Sequence, residues 1–87
     1  MAKLLQDISI GKNLQTIRKE KGMTQNEVCA KMDMLGRPMS QSTYAQIESG
    51  KRNIYISDLI VLKEIFAVDY EAFFQGLVPR NKYHQNA

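Results

Sequence analysis

The chain has 87 residues, 44% of them hydrophobic, so it can bury one modest core and is expected to form one domain. Twelve lysines and arginines against nine acidic residues give a net charge of +3, which suits a polyanionic partner but decides little alone. A single cysteine excludes an internal disulfide, and with a single histidine no spacing resembles a zinc site.

The N-terminal segment MAKLLQDISIGK has only a short apolar pair, Leu4 and Leu5, which polar residues follow at once. It therefore lacks the apolar core of a signal peptide. No apolar run in the chain approaches the length of a membrane span. Together with the unpaired cysteine, this pattern predicts a soluble, cytoplasmic protein without a membrane partner.

The first part of the chain predicts two helices. Helix 1 is predicted over residues 10–21, with Ser9 as its N-cap. Thr24 and Glu27 then have the spacing of a capping box, in which each side chain accepts a hydrogen bond from the other residue's backbone amide. Helix 2 is therefore expected to begin there and to end near residue 35.

The segment SQSTYAQIESGKRN predicts a short third helix with two different faces, capped by Ser40 and ended by Gly50. At about 100° per residue, Tyr44 and Ile47 share one arc, and the opposite arc consists of Gln41, Ser42, Ala45, Gln46 and Ser49. This polar arc has no acidic residue and no bulky aliphatic one. Glutamine amides pair bidentately with adenine, so the pattern favours contact with DNA bases in the major groove.

Two further helices are predicted after the third. Ser57 is expected to cap the fourth, a mostly apolar core helix, and Asp69 the short fifth. No stretch shows the alternation that would predict a β-strand. The expected fold is all-α with five helices, in which residues 1–78 form one domain and residues 79–87 a flexible C-terminal tail.

Three segments together resemble a known family. IGKNLQTIRKEKGMTQNEVCAKM matches its first two helices, SQSTYAQIESGKRN its recognition helix and the following loop, and ISDLIVLKEIFAVDYEAFF its closing helices. Over residues 10–77 the chain is similar to the Cro/CI-type helix-turn-helix proteins, the XRE family of bacterial and phage repressors. The resemblance implies a compact five-helix, lambda-repressor-like domain that binds double-stranded DNA.

The resemblance also implies roles for individual residues. The positions that match base contacts are Gln41, Ser42 and Gln46. The positions that match phosphate contacts lie at the start of helix 2, on helix 3 and in the loop after it: Gln25, Thr43, Lys51, Arg52 and Asn53. Arg18 is expected to form an ion pair with Glu48, which would otherwise repel the phosphates.

Residues 33–38 depart from the family pattern, because they enlarge the turn between helices 2 and 3. Gly36 and Pro38 are expected to break helix 2. The added residues either extend helix 2 and leave the recognition helix in place, as the matching flanks favour, or change the angle at which helix 3 meets the groove. Arg37 is a further candidate for a phosphate contact.

For several residues a structural role is favoured over a functional one. Tyr44 is expected in the core with its hydroxyl exposed, and Cys29 is expected to be a small core residue rather than a redox sensor. Core filling is the expected role of the methionines near helix 2, which are Met23, Met32, Met34 and Met39.

The apolar residues of helix 5 allow two interpretations. They are Tyr70, Phe73, Phe74 and Leu77. Completion of a small core and contact between two protomers are equally favoured, because the segment carries more aromatic surface than a short closing helix needs.

These patterns predict a sequence-specific DNA-binding transcriptional regulator, a repressor, that inserts helix 3 into the major groove as a homodimer. Two alternatives stay open. One is an antitoxin-type autorepressor with a toxin as its protein partner, and the other is a protein-interaction module of the same fold that has lost DNA affinity. No catalytic arrangement and no phosphate-binding glycine loop is recognisable, so we expect neither an enzyme nor a cofactor or metal.

Overall fold

A computed structural model describes residues 3–4 and 6–79, with side chains from residue 6 onward. In chain order, the elements are β1 (Lys3–Leu4), α1 (Gly11–Glu20), α2 (Gln25–Met34), α3 (Gln41–Glu48), β2 (Ile54–Tyr55), α4 (Ile56–Phe66) and α5 (Glu71–Phe74). The predicted all-α, five-helix fold is confirmed. The predicted tail, apart from its first residue, lies outside the described residues.

A short strand pair was not predicted. β1 and β2 run antiparallel, with Lys3 opposite Tyr55 and Leu4 opposite Ile54. Two residues are too few to show an alternating pattern, and the partners lie about fifty positions apart in the sequence. The local sequence therefore does not predict the strand pair. The pair attaches the N-terminal segment to the loop that follows α3.

Two of the predicted helix caps are present. The Thr24 hydroxyl accepts a hydrogen bond from the Glu27 amide at 3.1 Å, and the Glu27 carboxylate accepts one from the Thr24 amide at 2.8 Å, which completes the capping box. At the start of α3, the Ser40 hydroxyl accepts from the Thr43 amide at 3.1 Å. Both caps satisfy amides that have no partner within the helix.

Three other predicted caps are wrong. Helix α1 begins at Gly11 with Ile10 in the N-cap position, and Ser9 lies one residue earlier, where its hydroxyl accepts from the Gly11 amide at 2.9 Å. Ser57 lies inside α4, because the helix begins directly after β2. Asp69 makes no side-chain cap: Tyr70 occupies the N-cap position of α5, and the backbone oxygen of Asp69 accepts from the Ala72 amide at 3.0 Å.

The core lies where α3 packs against α1 and α2, while α4 packs on α2 and α5 on α1. Its largest fully buried side chains are Tyr44, Phe66, Phe73, Leu14, Met32, Ile54, Leu62 and Val28. Cys29 packs against this core and is half-buried, and burial raises the pKa of its thiol. None of the described helices has the length and apolar character needed to cross a membrane.

The methionines near α2 do not all fill the core. Met32 is fully buried, and Met23 and Met39 pack against the core from its edge. Met34 is 83% exposed, which contradicts its predicted role. It lies two positions after Met32, on the other side of α2 and at the last residue of the helix.

The turn between α2 and α3 is closed by main-chain bonds at its start. Gly36 adopts a φ of 84°, and the Arg37 amide donates to the Met32 carbonyl at 2.9 Å. Arg37 then reaches α4, where its Nε atom lies 2.9 Å from the buried Asp58 carboxylate. Arg37 therefore attaches this connection to α2 through its backbone amide and to the start of α4 through its side chain.

Gly11 sets how closely α1 approaches the end of α3. A Cβ atom at this position would collide with the carbonyl oxygen of Glu48 and would lie 2.7 Å from that of Ile47. Both obstacles are backbone atoms, which cannot move aside as a flexible side chain can. The N-terminus of α1 and the C-terminus of α3 are therefore in main-chain contact.

We predict that Gly11→Ala destabilises the protein by about 2 kcal/mol or more. Glycine to alanine within a helix normally stabilises by up to about 1 kcal/mol, so the sign itself tests the contact. Urea unfolding would measure the change, with Lys12→Ala, at an exposed position next to Gly11, as the matched control. An unchanged or raised free energy of unfolding in Gly11→Ala would contradict the close approach.

Candidate DNA interface

A buried ion pair joins α1 to α3 beneath the candidate interface. Arg18 and Glu48 pair through two bonds, from Nε to Oε2 at 2.7 Å and from Nη2 to Oε1 at 3.1 Å. The remaining Nη1 of Arg18 donates to the Met23 carbonyl at 2.9 Å. Arg18 and Glu48 are only 8% and 7% exposed, so the pair is part of the interior.

Both partners of this pair are held in their charged forms. Burial alone would raise the pKa of Glu48, but hydrogen bonds from Arg18 and Gln25 outweigh it and the pKa lies below its ordinary value. The hydrogen bond to Glu48 raises the pKa of Arg18. A negative charge therefore persists close to the surface, with its positive partner fixed beside it.

Tyr44 differs in one respect from its prediction. The ring is in the core as expected, but the hydroxyl is also buried rather than exposed. It lies near Glu48 without a hydrogen bond of good geometry to any described residue, and burial raises its pKa. The hydroxyl therefore has no access to a ligand on the polar face of α3.

A chain of amides leads from the ion pair to the outer face of α3. Gln25 is the first residue of α2, and its Nε2 donates to Glu48 Oε1 at 3.0 Å. Its Oε1 accepts from Gln41 Nε2 at 2.6 Å. Because a carboxylate only accepts hydrogen bonds, Glu48 fixes the orientation of the Gln25 amide, and Gln25 in turn fixes that of Gln41.

The other candidate base contacts lie on the same face. Ser42 and Gln46 are exposed, as is Gln41, while Thr43 is half-buried beside Ser40, whose hydroxyl donates to its Oγ1 at 2.9 Å. The Gln46 side chain accepts a hydrogen bond from Arg52 Nε at 2.9 Å. The structure thus brings the three predicted base-contacting residues to one exposed surface.

The residues predicted to contact phosphates flank this surface on two sides. Gln25 lies at the N-terminus of α2, and Lys51, Arg52 and Asn53 lie in the loop after α3. Lys51 and Arg52 are exposed, whereas Asn53 is half-buried and accepts from the Gln6 amide at 3.4 Å. Arg37 is not part of this surface group, because its guanidinium is paired with Asp58.

Sequence reasoning missed three contributors to the site. The tie from Gln25 to Glu48 joins residues 23 positions apart, and the close approach of Gly11 to α3 joins residues 37 positions apart. Asp58, which holds the enlarged turn through Arg37, was predicted only as part of a helix. The sequence gives little sign of this tie, because acids are favoured in the first turn of any helix and the burial of Asp58 follows from the tertiary structure.

The capped α2, the turn and α3 with its exposed polar face form a helix-turn-helix unit, the arrangement in which the second helix enters the major groove. A model of the helix-turn-helix family matches residues 14–73, well over half of the chain. The chain therefore belongs to this family, in its Cro/CI or XRE type, and is a DNA-binding transcriptional regulator. Neither the curated proteins nor the solved structures include a significant match.

The lowered pKa of Glu48 predicts a loss of stability in acid. Its carboxylate binds a proton less readily in the folded chain, so its contribution is present above its ordinary pKa of 4.5 and is lost as the pH falls through its lower folded value. Unfolding measured by urea between pH 7 and pH 3 should show this loss. The loss of stability between pH 7 and pH 3 should be smaller in Glu48→Gln. This variant also leaves Arg18 without its counter-charge, which should lower the free energy of unfolding at pH 7 by about 2 kcal/mol.

Glu20→Gln is the control, since it removes an exposed carboxylate at the end of α1. Its acid profile should follow that of the unmodified protein. A Glu48→Gln variant with an equally steep acid profile would show that the ion pair does not carry the pH dependence.

Proposed function

We propose that this protein is a repressor that binds a specific DNA sequence as a homodimer, with α3 in the major groove. Within it, residues 1–78 act as one DNA-binding unit. The observation that carries the proposal is the exposed Gln41 amide, which is connected through Gln25 to the buried Arg18–Glu48 pair. A side chain held in this way loses little conformational freedom on binding.

The orientation of Gln41 suits adenine. One hydrogen of Nε2 is directed to Gln25, which leaves the second hydrogen and the Oε1 acceptor for a ligand. Adenine offers the complementary pair on its major-groove edge, an acceptor at N7 and an amino donor at N6. Ser42, one residue further along α3, is small enough to let the helix approach the neighbouring base edge.

Phosphate contacts on both sides of the groove position the helix. The N-terminus of α2 offers backbone amides and a free hydrogen of the Gln25 amide to one phosphate. Lys51 and the outer nitrogens of Arg52 approach the backbone from the loop after α3. Glu48 does not oppose these contacts, because Arg18 neutralises it.

The apolar surface around α5 supports the homodimer. Phe73 is fully buried, but Phe74 is 46% and Val78 is 73% exposed, and both line a groove against Ile8 and Ile10. Tyr70 is 42% exposed, with Lys63 Nζ 5.1 Å from its ring centre. Pairing of two such surfaces about a twofold axis would place the two α3 helices in successive major grooves, about 34–36 Å apart, on a palindromic operator.

We predict that two alanine substitutions affect DNA binding differently, as measured on an operator selected from random duplex DNA and on scrambled DNA. Gln41→Ala should weaken binding to the operator about 10-fold to 100-fold and leave binding to scrambled DNA nearly unchanged. Lys51→Ala should weaken both and reduce the slope of log affinity against log salt by about one. Fluorescence anisotropy over a range of salt measures both quantities. Failure of the unmodified protein to enrich any sequence would exclude sequence-specific binding.

For the dimer, we predict that Phe74→Glu shifts the protein to monomers without unfolding it, because the side chain is half exposed and would place a charge in the contact. Sedimentation velocity and binding to a single half-site against the full palindrome test this. Leu35→Glu is the matched control, since Leu35 is 49% exposed but lies after α2. Equal dimer fractions in the two variants would show that α5 is not the interface.

A further inference from the structure

Arg52 lies in the loop after α3 and is bonded to the side chain of Gln46. Its Nε donates to Gln46 Oε1 at 2.9 Å, across six positions of sequence. A guanidinium carries five donors and no acceptor, so only the oxygen end of the Gln46 amide can face it. The contact therefore fixes which end of that amide points to the loop and which end points away from it.

The side-chain amides of Gln41 and Gln46 are consequently oriented differently on one helix, because Gln41 bonds internally through its nitrogen and Gln46 through its oxygen. Gln41 uses one hydrogen of its nitrogen internally, on Gln25, and leaves its oxygen and its second hydrogen available. Gln46 uses its oxygen internally, on Arg52, and leaves the two hydrogens of its nitrogen available. Two residues of identical chemistry thus present different groups to the DNA.

We propose that Arg52 is a positioning residue that makes Gln46 a hydrogen-bond donor toward the DNA, an inference that rests on the proposed function. The base edge that faces Gln46 is then rich in acceptors. In the major groove this describes guanine, with N7 and O6, and thymine, with O4. Adenine and cytosine present an amino group there and are disfavoured.

The charge of Arg52 strengthens this selection. Gln46 Oε1 keeps a second lone pair, but an amino group that donated to it would approach beside a guanidinium, which is itself a donor with a positive charge. The outer nitrogens of Arg52 donate to no described residue and can contact a phosphate or an acceptor on the same base. Arg52 therefore contributes to affinity through its charge and to specificity through its Nε atom.

Selection from a random duplex library tests this with four proteins. The unmodified protein defines the operator, and Gln46→Ala identifies the base pair that Gln46 contacts, where preference is lost. Arg52→Met removes the guanidinium and keeps a long side chain. Lys51→Met is the matched control, because it removes one positive charge from the same loop at a residue that donates no hydrogen bond to Gln46.

We expect the unmodified protein to prefer guanine or thymine over adenine by about tenfold at that base pair. Arg52→Met should reduce this preference below about threefold and keep the preference at the Gln41 position, while Lys51→Met should retain both. Both methionine variants should lose a similar factor in overall affinity. Thermal unfolding followed by circular dichroism verifies that all four proteins fold.

Two sets of results would overturn the inference. The role of Arg52 would be refuted if the protein preferred adenine or cytosine at the Gln46 position, or if Arg52→Met kept the preference unchanged. It would also be refuted if Gln46→Ala did not alter the selected sequence. Each of these results would leave the proposed function intact. Absence of any enriched sequence with the unmodified protein would overturn the proposed function, and the inference with it.

Discussion

The rest of the site depends on one buried interaction, the pair of Arg18 and Glu48 between α1 and α3. Removing two charges from water is costly, so such a pair adds little net stability and its value here is geometric. It places a carboxylate beneath the candidate DNA interface with its charge already paired. That carboxylate then orients the amide of Gln25, which orients the amide of Gln41. A buried charge therefore determines the orientation of the exposed Gln41 amide.

The helices were predictable from sequence wherever their ends were determined by neighbouring residues. The caps at Thr24 and Ser40 are local motifs, in which a hydroxyl meets an amide three residues later. Ser57 and Asp69 have the same residue chemistry but cap nothing, because a strand pair fixes the start of α4 and a main-chain turn that of α5. A strand of two residues whose partner is distant in sequence left no local pattern to detect.

The candidate site was predictable as a set of positions, not as a set of bonds. A helical wheel and the family resemblance placed Gln41 and Gln46 on one face, and the structure brings them there. The wheel carries no information on what each amide bonds to, because those partners lie on α2 and in the loop after α3. The buried Tyr44 hydroxyl and the attachment of Arg37 to Asp58 required tertiary structure for the same reason.

The contact of Gly11 with α3 has a consequence for redesign of this protein. It involves the carbonyl oxygens of Ile47 and Glu48 and none of the outward side chains of the helix. The packing of α3 on α1 is thus independent of the side chains on the exposed polar face of α3. The exposed Ser42 can be exchanged without disturbing this packing, whereas Gln41 is bonded to Gln25 and has to be redesigned together with it as one unit that spans two helices.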